Sequence, residues 1–114
     1  MSRIPNINNV QIAGNVVRES DIREVGDTRT LRIDLAHDHP YKDKKGQWQQ
    51  FTSYFEVELW GGLVDRYQQY CKKGTPVIVE GTLKQDRWED KDLNKKARVR
   101  IRATKLHILE YPQK

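Results

Sequence analysis

Thr52-Ser53-Tyr54-Phe55-Glu56-Val57-Glu58-Leu59-Trp60-Gly61-Gly62 is the stretch that decides the fold. Successive side chains of a strand point to opposite faces, so Ser53, Phe55, Val57 and Leu59 share one side and Tyr54, Glu56, Glu58 and Trp60 the other. The first side is apolar enough to line a core, which turns two large rings outward. The glycine pair ends the strand, and the period then changes. Leu63, Val64, Tyr67, Tyr70 and Cys71 fall at i, i+1, i+4, i+7 and i+8, one face of a short amphipathic helix over Leu63 to Lys73. Lys72 and Lys73 suit its negative C-terminal end, and Gly74 is placed for a left-handed cap. Tyr67 and Tyr70 then read as helix-docking residues.

The same two-residue period runs outward in both directions. Upstream, Leu31, Ile33 and Leu35 alternate with Thr30, Arg32 and Asp34. Before them Val10, Ile12 and Val16 mark a first strand from about Asn8 to Arg18, with Gly14 where a curled strand needs a backbone without a side chain. The polar segment Asp38 to Gln50, with His39-Pro40 and Lys45-Gly46, reads as a long hairpin tip. Downstream, Val77, Val79 and Leu83 form a fourth strand interrupted by Gly81. Val99, Ile101 and Ala103 followed by Leu106 and Ile108 form the last, and the change of parity predicts a bulge around Thr104-Lys105. Three strands, a helix and two strands make an all-β chain with one short helix. That is the element order of an OB-fold, a five-stranded Greek-key barrel with the helix between strands 3 and 4. Another small barrel is the alternative.

With 114 residues the chain has room for one domain, read here as residues 1–110 with 111–114 as a short remnant. Its 21 Lys and Arg against 16 Asp and Glu give a net charge of +5, which makes nucleic acid the first partner to consider. No stretch approaches the roughly 20 apolar residues of a membrane span, and MSRIPNINN is neither a secretory signal nor an Arg/Ser-rich presequence. A cytoplasmic, nucleoid-associated location is expected, or a mature organellar one. The lone Cys71 can form no intrachain disulfide, in keeping with a reducing compartment. His37 and His39 share a strand face, but without a further ligand pattern they read as a polar strand end; no metal or other cofactor is expected.

The outward rings need a reason. Tyr54 and Trp60 would lie roughly 20 Å apart along the strand, suited to separate bases of one extended nucleic-acid strand. Trp88 stands among cations in Lys84-Gln85-Asp86-Arg87-Trp88, and Tyr41 and Trp48 flank Lys42-Asp43-Lys44-Lys45. Rings interleaved with Lys and Arg can stack bases and neutralise phosphates together. From Lys84 to Lys105 there are nine Lys or Arg and four Asp or Glu, an excess equal to the whole net charge. Arg98, Arg100 and Arg102 point to one face, either as a phosphate track or as a solvated strand. Glu56 and Glu58 share the face of Tyr54 and Trp60 and would repel phosphates. Either cations such as Arg32 or Lys84 pair with them, or the bound strand avoids the middle of the sheet.

The run Gln11-Ile12-Ala13-Gly14-Asn15-Val16, the segment Thr52 to Gly61, Lys73-Gly74-Thr75-Pro76-Val77-Ile78-Val79-Glu80-Gly81-Thr82-Leu83 and Asp86-Arg87-Trp88-Glu89-Asp90 together resemble the bacterial-type single-stranded DNA-binding proteins, over about Asn8 to Leu109. The resemblance implies an OB-fold that assembles as a homotetramer and wraps single-stranded DNA, protecting it in replication, recombination and repair. It implies stacking positions at Tyr41, Tyr54, Trp60 and Trp88 and basic contacts at Arg3, Lys44, Lys73, Lys84 and Arg87. Family members carry a flexible linker and an acidic tip that recruits other enzymes, whereas this chain stops at Glu110-Tyr111-Pro112-Gln113-Lys114, so recruitment through a tail is not expected. Phe55 stands where some relatives have His, and Glu56 where some have a basic residue. An RNA-binding or primosome-type OB module would use the same rings and cations. A small OB-fold nuclease would need clustered carboxylates, but Asp90 and Asp92 read as turn residues and no catalytic group is expected.

Overall fold

In the computed structural model, which describes residues 4–110, the first strand β1 (Val10–Glu19) serves two neighbours in turn. Its first half pairs with β5 (Pro76–Glu89), and from Asn15 onward it pairs with β3 (Thr28–Lys42). Gly14 sits at the changeover, where a Cβ would overlap the Ala36 carbonyl; only a bare backbone lets the two strands meet there. Gly81 does the same on β5, where a Cβ would overlap the carbonyl of Arg102.

The remaining elements are β2 (Arg23–Val25), β4 (Trp48–Trp60), the helix α1 (Gly62–Tyr67) and β6 (Lys95–Ile108). The sheet order β1-β5-β6-β4-β3, together with the β1–β3 pairing, closes five strands into a barrel. All its neighbours are antiparallel except β4 and β6, which run parallel through Val57↔Ile101 and Glu58↔Arg102. This is the closed OB-type barrel expected from the element order. The short β2, with no apolar alternation to announce it, is added on the outer edge of β3, so the helix follows the fourth strand rather than the third.

Alternation fills the interior as the sequence requires. Val16, Leu31, Ile33, Leu35, Val57, Leu59, Val77, Val79, Ile101 and Leu106 are buried together, and Val64 of α1 closes one end with Leu63 and Tyr67 packed beside it. Cys71 is buried against this core, and burial followed by the charge of Glu19 pushes its thiol up to about 11, a value at which it stays protonated and inert. The bulge expected near Thr104 is present, since Glu80 faces Lys105 while Gly81 faces Ala103.

Three boundaries differ from the sequence reading. The helix stops at Tyr67, and Gly74, although at φ 92, shapes the later turn into β5 instead of capping the helix. The polar segment read as a hairpin tip is mostly strand, because β3 and β4 stay paired out to Lys42↔Trp48. Phe55 does not fill the barrel; it remains 37% exposed at its mouth, one turn of the pleat beyond Val57.

Candidate nucleic-acid interface

Residues paired directly across two strands share a sheet face. Glu58 of β4 faces Arg102 of β6, and Arg102, Arg100, Arg98 and Lys96 face Thr82, Lys84, Asp86 and Trp88 of β5. Tyr54, Glu56, Glu58 and Trp60 therefore lie on one continuous outer face with Lys84, Asp86, Trp88, Arg98, Arg100 and Arg102. Tyr54 is 68% exposed and Trp88 45%, while Trp60 is half-buried.

Between the rings runs a ladder of ion pairs. Glu56 accepts from Arg98 Nη1 at 2.9 Å and from Arg100 Nε at 2.6 Å. The other arm of Arg100 donates to Asp86, and Lys84 Nζ stands 3.4 Å from Asp86 Oδ1 and 3.5 Å from Glu58 Oε1. Trp60 Nε1 completes the set, 3.5 Å from the same Glu58 oxygen. Glu58 is thus buried and neutralised, and Lys84 is one of its partners, as the sequence allowed. Arg102 takes no acidic partner among the described residues; its guanidinium lies over the Trp60 ring, 5.6 Å from the centroid.

Electrostatics follow from this geometry. Burial alone would raise the Glu56 carboxyl, but the hydrogen bond and charge of Arg100, then the charges of Arg98 and Arg32, hold it below the usual range. Burial would likewise raise Asp86, yet bonding to Arg100 and the nearby charge of Lys84 bring it down. On Arg100 burial acts downward and is outweighed by Glu56 and Asp86, so its guanidinium is held in its charged form more firmly still.

The expected site residues divide by face. Tyr54, Trp60, Lys84 and Trp88 come together on the outer face. Tyr41 faces Gln49, which puts it on the reverse of the β3–β4 ribbon together with Phe51. Arg87 faces Ala97 on the reverse of the β5–β6 ribbon, where its Nε donates to Gln85 at 2.8 Å. Lys44 is exposed in the β3–β4 turn and Lys73 in the loop leading to β5, neither with an acidic partner among the described residues. Arg3 lies outside the described residues. At the tip of β5 and β6 a hollow of about 580 Å³ is lined by Arg87, Trp88, Glu89, Lys95, Lys96 and Ala97, a ring beside two lysines, of which Lys96 stands 3.9 Å from Asp90 Oδ2.

Two features escaped the sequence reading. Phe51 is 60% exposed on the face of Tyr41, and the polar composition of its surroundings hid that it belongs to a strand. Lys42 lies over Trp48, 5.2 Å from the ring centroid, a pairing that only the extended register brings about. Asp90 behaves as expected, accepting the backbone N–H groups of Asp92 and Asn94 in the β5–β6 turn.

The model of the single-strand binding protein family matches residues 7–109. A single-stranded DNA-binding protein of Deinococcus radiodurans is 35% identical over 105 residues, 90% of this chain and 34% of that protein. Single-stranded DNA-binding protein 1 of Xylella fastidiosa is 33% identical, covering 90% of this chain and 77% of its own length. Among solved structures, the Thermus aquaticus single-stranded DNA binding protein superposes with a TM-score of 0.76 at 30% identity, covering 91% of this chain and 50% of that one. A Plasmodium falciparum SSB in complex with ssDNA gives a TM-score of 0.84 over 96% of this chain and 100% of that one, and at 22% identity it speaks to the fold. The chain thus spans about a third of the Deinococcus protein and half of the Thermus chain.

Proposed function

Because the chain belongs to the single-strand binding protein family, we propose that its outer face binds single-stranded DNA without regard to sequence, as a binder and not a catalyst. The observation that carries this reading is the placement of Tyr54, Trp60 and Trp88 on one face of a closed barrel, with unpaired cations at the tips of both hairpins. Every base has a ring face, so such platforms accept any sequence, and in single-strand binders of this type each contributes roughly 1 to 3 kcal/mol. Lys44, Lys73, Lys95 and Arg102 supply charge for the phosphates. The reverse-face pair Tyr41 and Arg87 engages a strand that wraps around the hairpins. The role is the protection of single strands in replication, recombination and repair, within a homotetramer in the cytoplasm. No helix among the described residues is long and apolar enough to cross a membrane.

The test is a tryptophan-fluorescence titration with poly-dT, matched RNA and duplex DNA at two salt concentrations. Quenching by dT that weakens with salt, with little response to duplex, is the expected result. Equal or stronger quenching by RNA would favour an RNA-binding module, and no quenching by any of them would assign the rings to packing. Sedimentation of the free protein reads the tetramer directly.

A further inference from the structure

We propose that Glu56 and Asp86 act as internal phosphate mimics, holding Arg98 and Arg100 away from the bound strand so that the centre of the outer face is electrostatically silent. The proposal rests on the reading of that face as the single-strand site and says how the site grips its ligand.

Three arginines at alternate positions of β6 stand roughly 7 Å apart, the spacing of a ready phosphate track. The structure withdraws two of them. Arg100 is only 8% exposed, with one arm on Glu56 and the other on Asp86. Arg98 is more exposed, but its Nη1 is committed to the same Glu56 at 2.9 Å. Carboxylate and phosphate present the same pair of acceptor oxygens to a guanidinium, so each acid occupies the position a phosphate would take. Two guanidiniums and two carboxylates balance each other at the centre, and an approaching phosphate finds Arg100 hidden behind its acids and the more exposed Arg98 already held by Glu56. Arg102 stands outside this set because its partner is the Trp60 ring. The strand is therefore held through its bases by the rings that flank the centre and through phosphates at the ends of the face. Such a grip is less salt-sensitive than a full arginine track, because fewer counterions are released.

The experiment compares the whole chain with Glu56→Gln and with the double variant Glu56→Gln, Arg98→Gln, by dT oligonucleotide titration over a salt series. Gln keeps an acceptor for Arg100, which also retains Asp86, and circular dichroism reads whether the barrel stays folded. Freeing Arg98 is expected to tighten binding about tenfold at low salt, the yield of one charge-assisted hydrogen bond. It also steepens log K against log salt by about 0.7 for each phosphate gained. Adding Arg98→Gln returns both quantities to the level of the unmodified chain. If that chain binds dT while E56Q leaves affinity and slope unchanged, or weakens binding, the proposal is overturned and the single-strand reading stands. If the unmodified chain does not bind dT, both fall. Should E56Q not fold, Asp86→Asn, which releases the other arm of Arg100, is read in the same way with the same two outcomes.

Discussion

Lys84 Nζ stands 3.5 Å from Glu58 Oε1, and the Glu58 side chain keeps only 3% of its surface in water. A cation that the family resemblance assigns to DNA is thus also the counter-charge of a buried acid. Removing it by Lys84→Ala leaves Glu58 with the Trp60 indole alone, and an uncompensated buried charge of this kind costs about 1–3 kcal/mol where the partner is partly solvated. The melting temperature should drop along with DNA affinity. Lys73→Ala, at an exposed position without an acid, should lower affinity and flatten the salt slope while the melt stays in place. Thermal denaturation of the two variants beside their binding curves checks this; an unchanged melt for K84A would mean that Glu58 does not depend on Lys84.

The two faces of the hairpins give the rings different ligands. Tyr54, Trp60 and Trp88 share the outer face, so an oligonucleotide just long enough to cross one barrel should lose roughly 1 to 3 kcal/mol with each Ala substitution, the range seen in single-strand binders. Tyr41→Ala should leave that short ligand unaffected and weaken only one long enough to round the β3–β4 hairpin. Titration with two oligonucleotide lengths separates these cases, and an equal loss for Tyr41 on the short ligand would place all four rings on one path.

The barrel was legible because its core follows a period of two within each strand, with the parity change before Leu106 marking the bulge, and because Gly14 and Gly81 stand where strands must touch. Polar hairpin arms carry no such period. Asp38, Pro40 and Gln50 read as loop, although they are the solvent-facing residues of a continuous ladder. That error concealed the side on which Tyr41 lies, since face assignment needs an unbroken register from Leu35 outward. The stacking candidates on β4 and the pairing of Lys84 with Glu58 could be foreseen from alternation and charge. The burial of Arg100 could not, because it depends on Glu56 and Asp86 coming from two other strands that are distant in sequence.

Acid should loosen the same ladder. Glu56 and Asp86 titrate below their ordinary values of 4.5 and 3.8 in the folded chain. A depressed folded value means stability that is fully present above the unfolded value and is lost as pH falls through the folded one. The melting temperature is therefore expected to be level from neutral pH down to about 5 on this account and to fall below about 4. At neutral pH E56Q should melt lower than the unmodified chain, and the gap should close as acid protonates Glu56. A gap that stays constant down to the acid limit would show that this carboxylate does not stabilise the fold through its charge.

Gly46 and Leu93 occupy equivalent places in two turns of the same design, Asp43 to Gln47 and Asp90 to Asn94. In each, the leading Asp accepts backbone N–H groups two and four residues on, and the fourth residue is left-handed, at φ 76 for Gly46 and φ 64 for Leu93. Glycine adopts that conformation freely, whereas a side chain there brings Cβ against the following carbonyl at roughly 1–2 kcal/mol. Leu93 is 77% exposed, so no burial offsets the strain. Leu93→Gly should therefore raise stability by about 1 kcal/mol, and Gly46→Leu should lower it by a similar amount. Urea denaturation of both variants measures the pair, and because Leu93 is exposed in the turn and is no member of the ion-pair ladder, L93G should bind dT as the unmodified chain does. A loss of stability in L93G would mean that the turn gains more from its side chain than its backbone gives up.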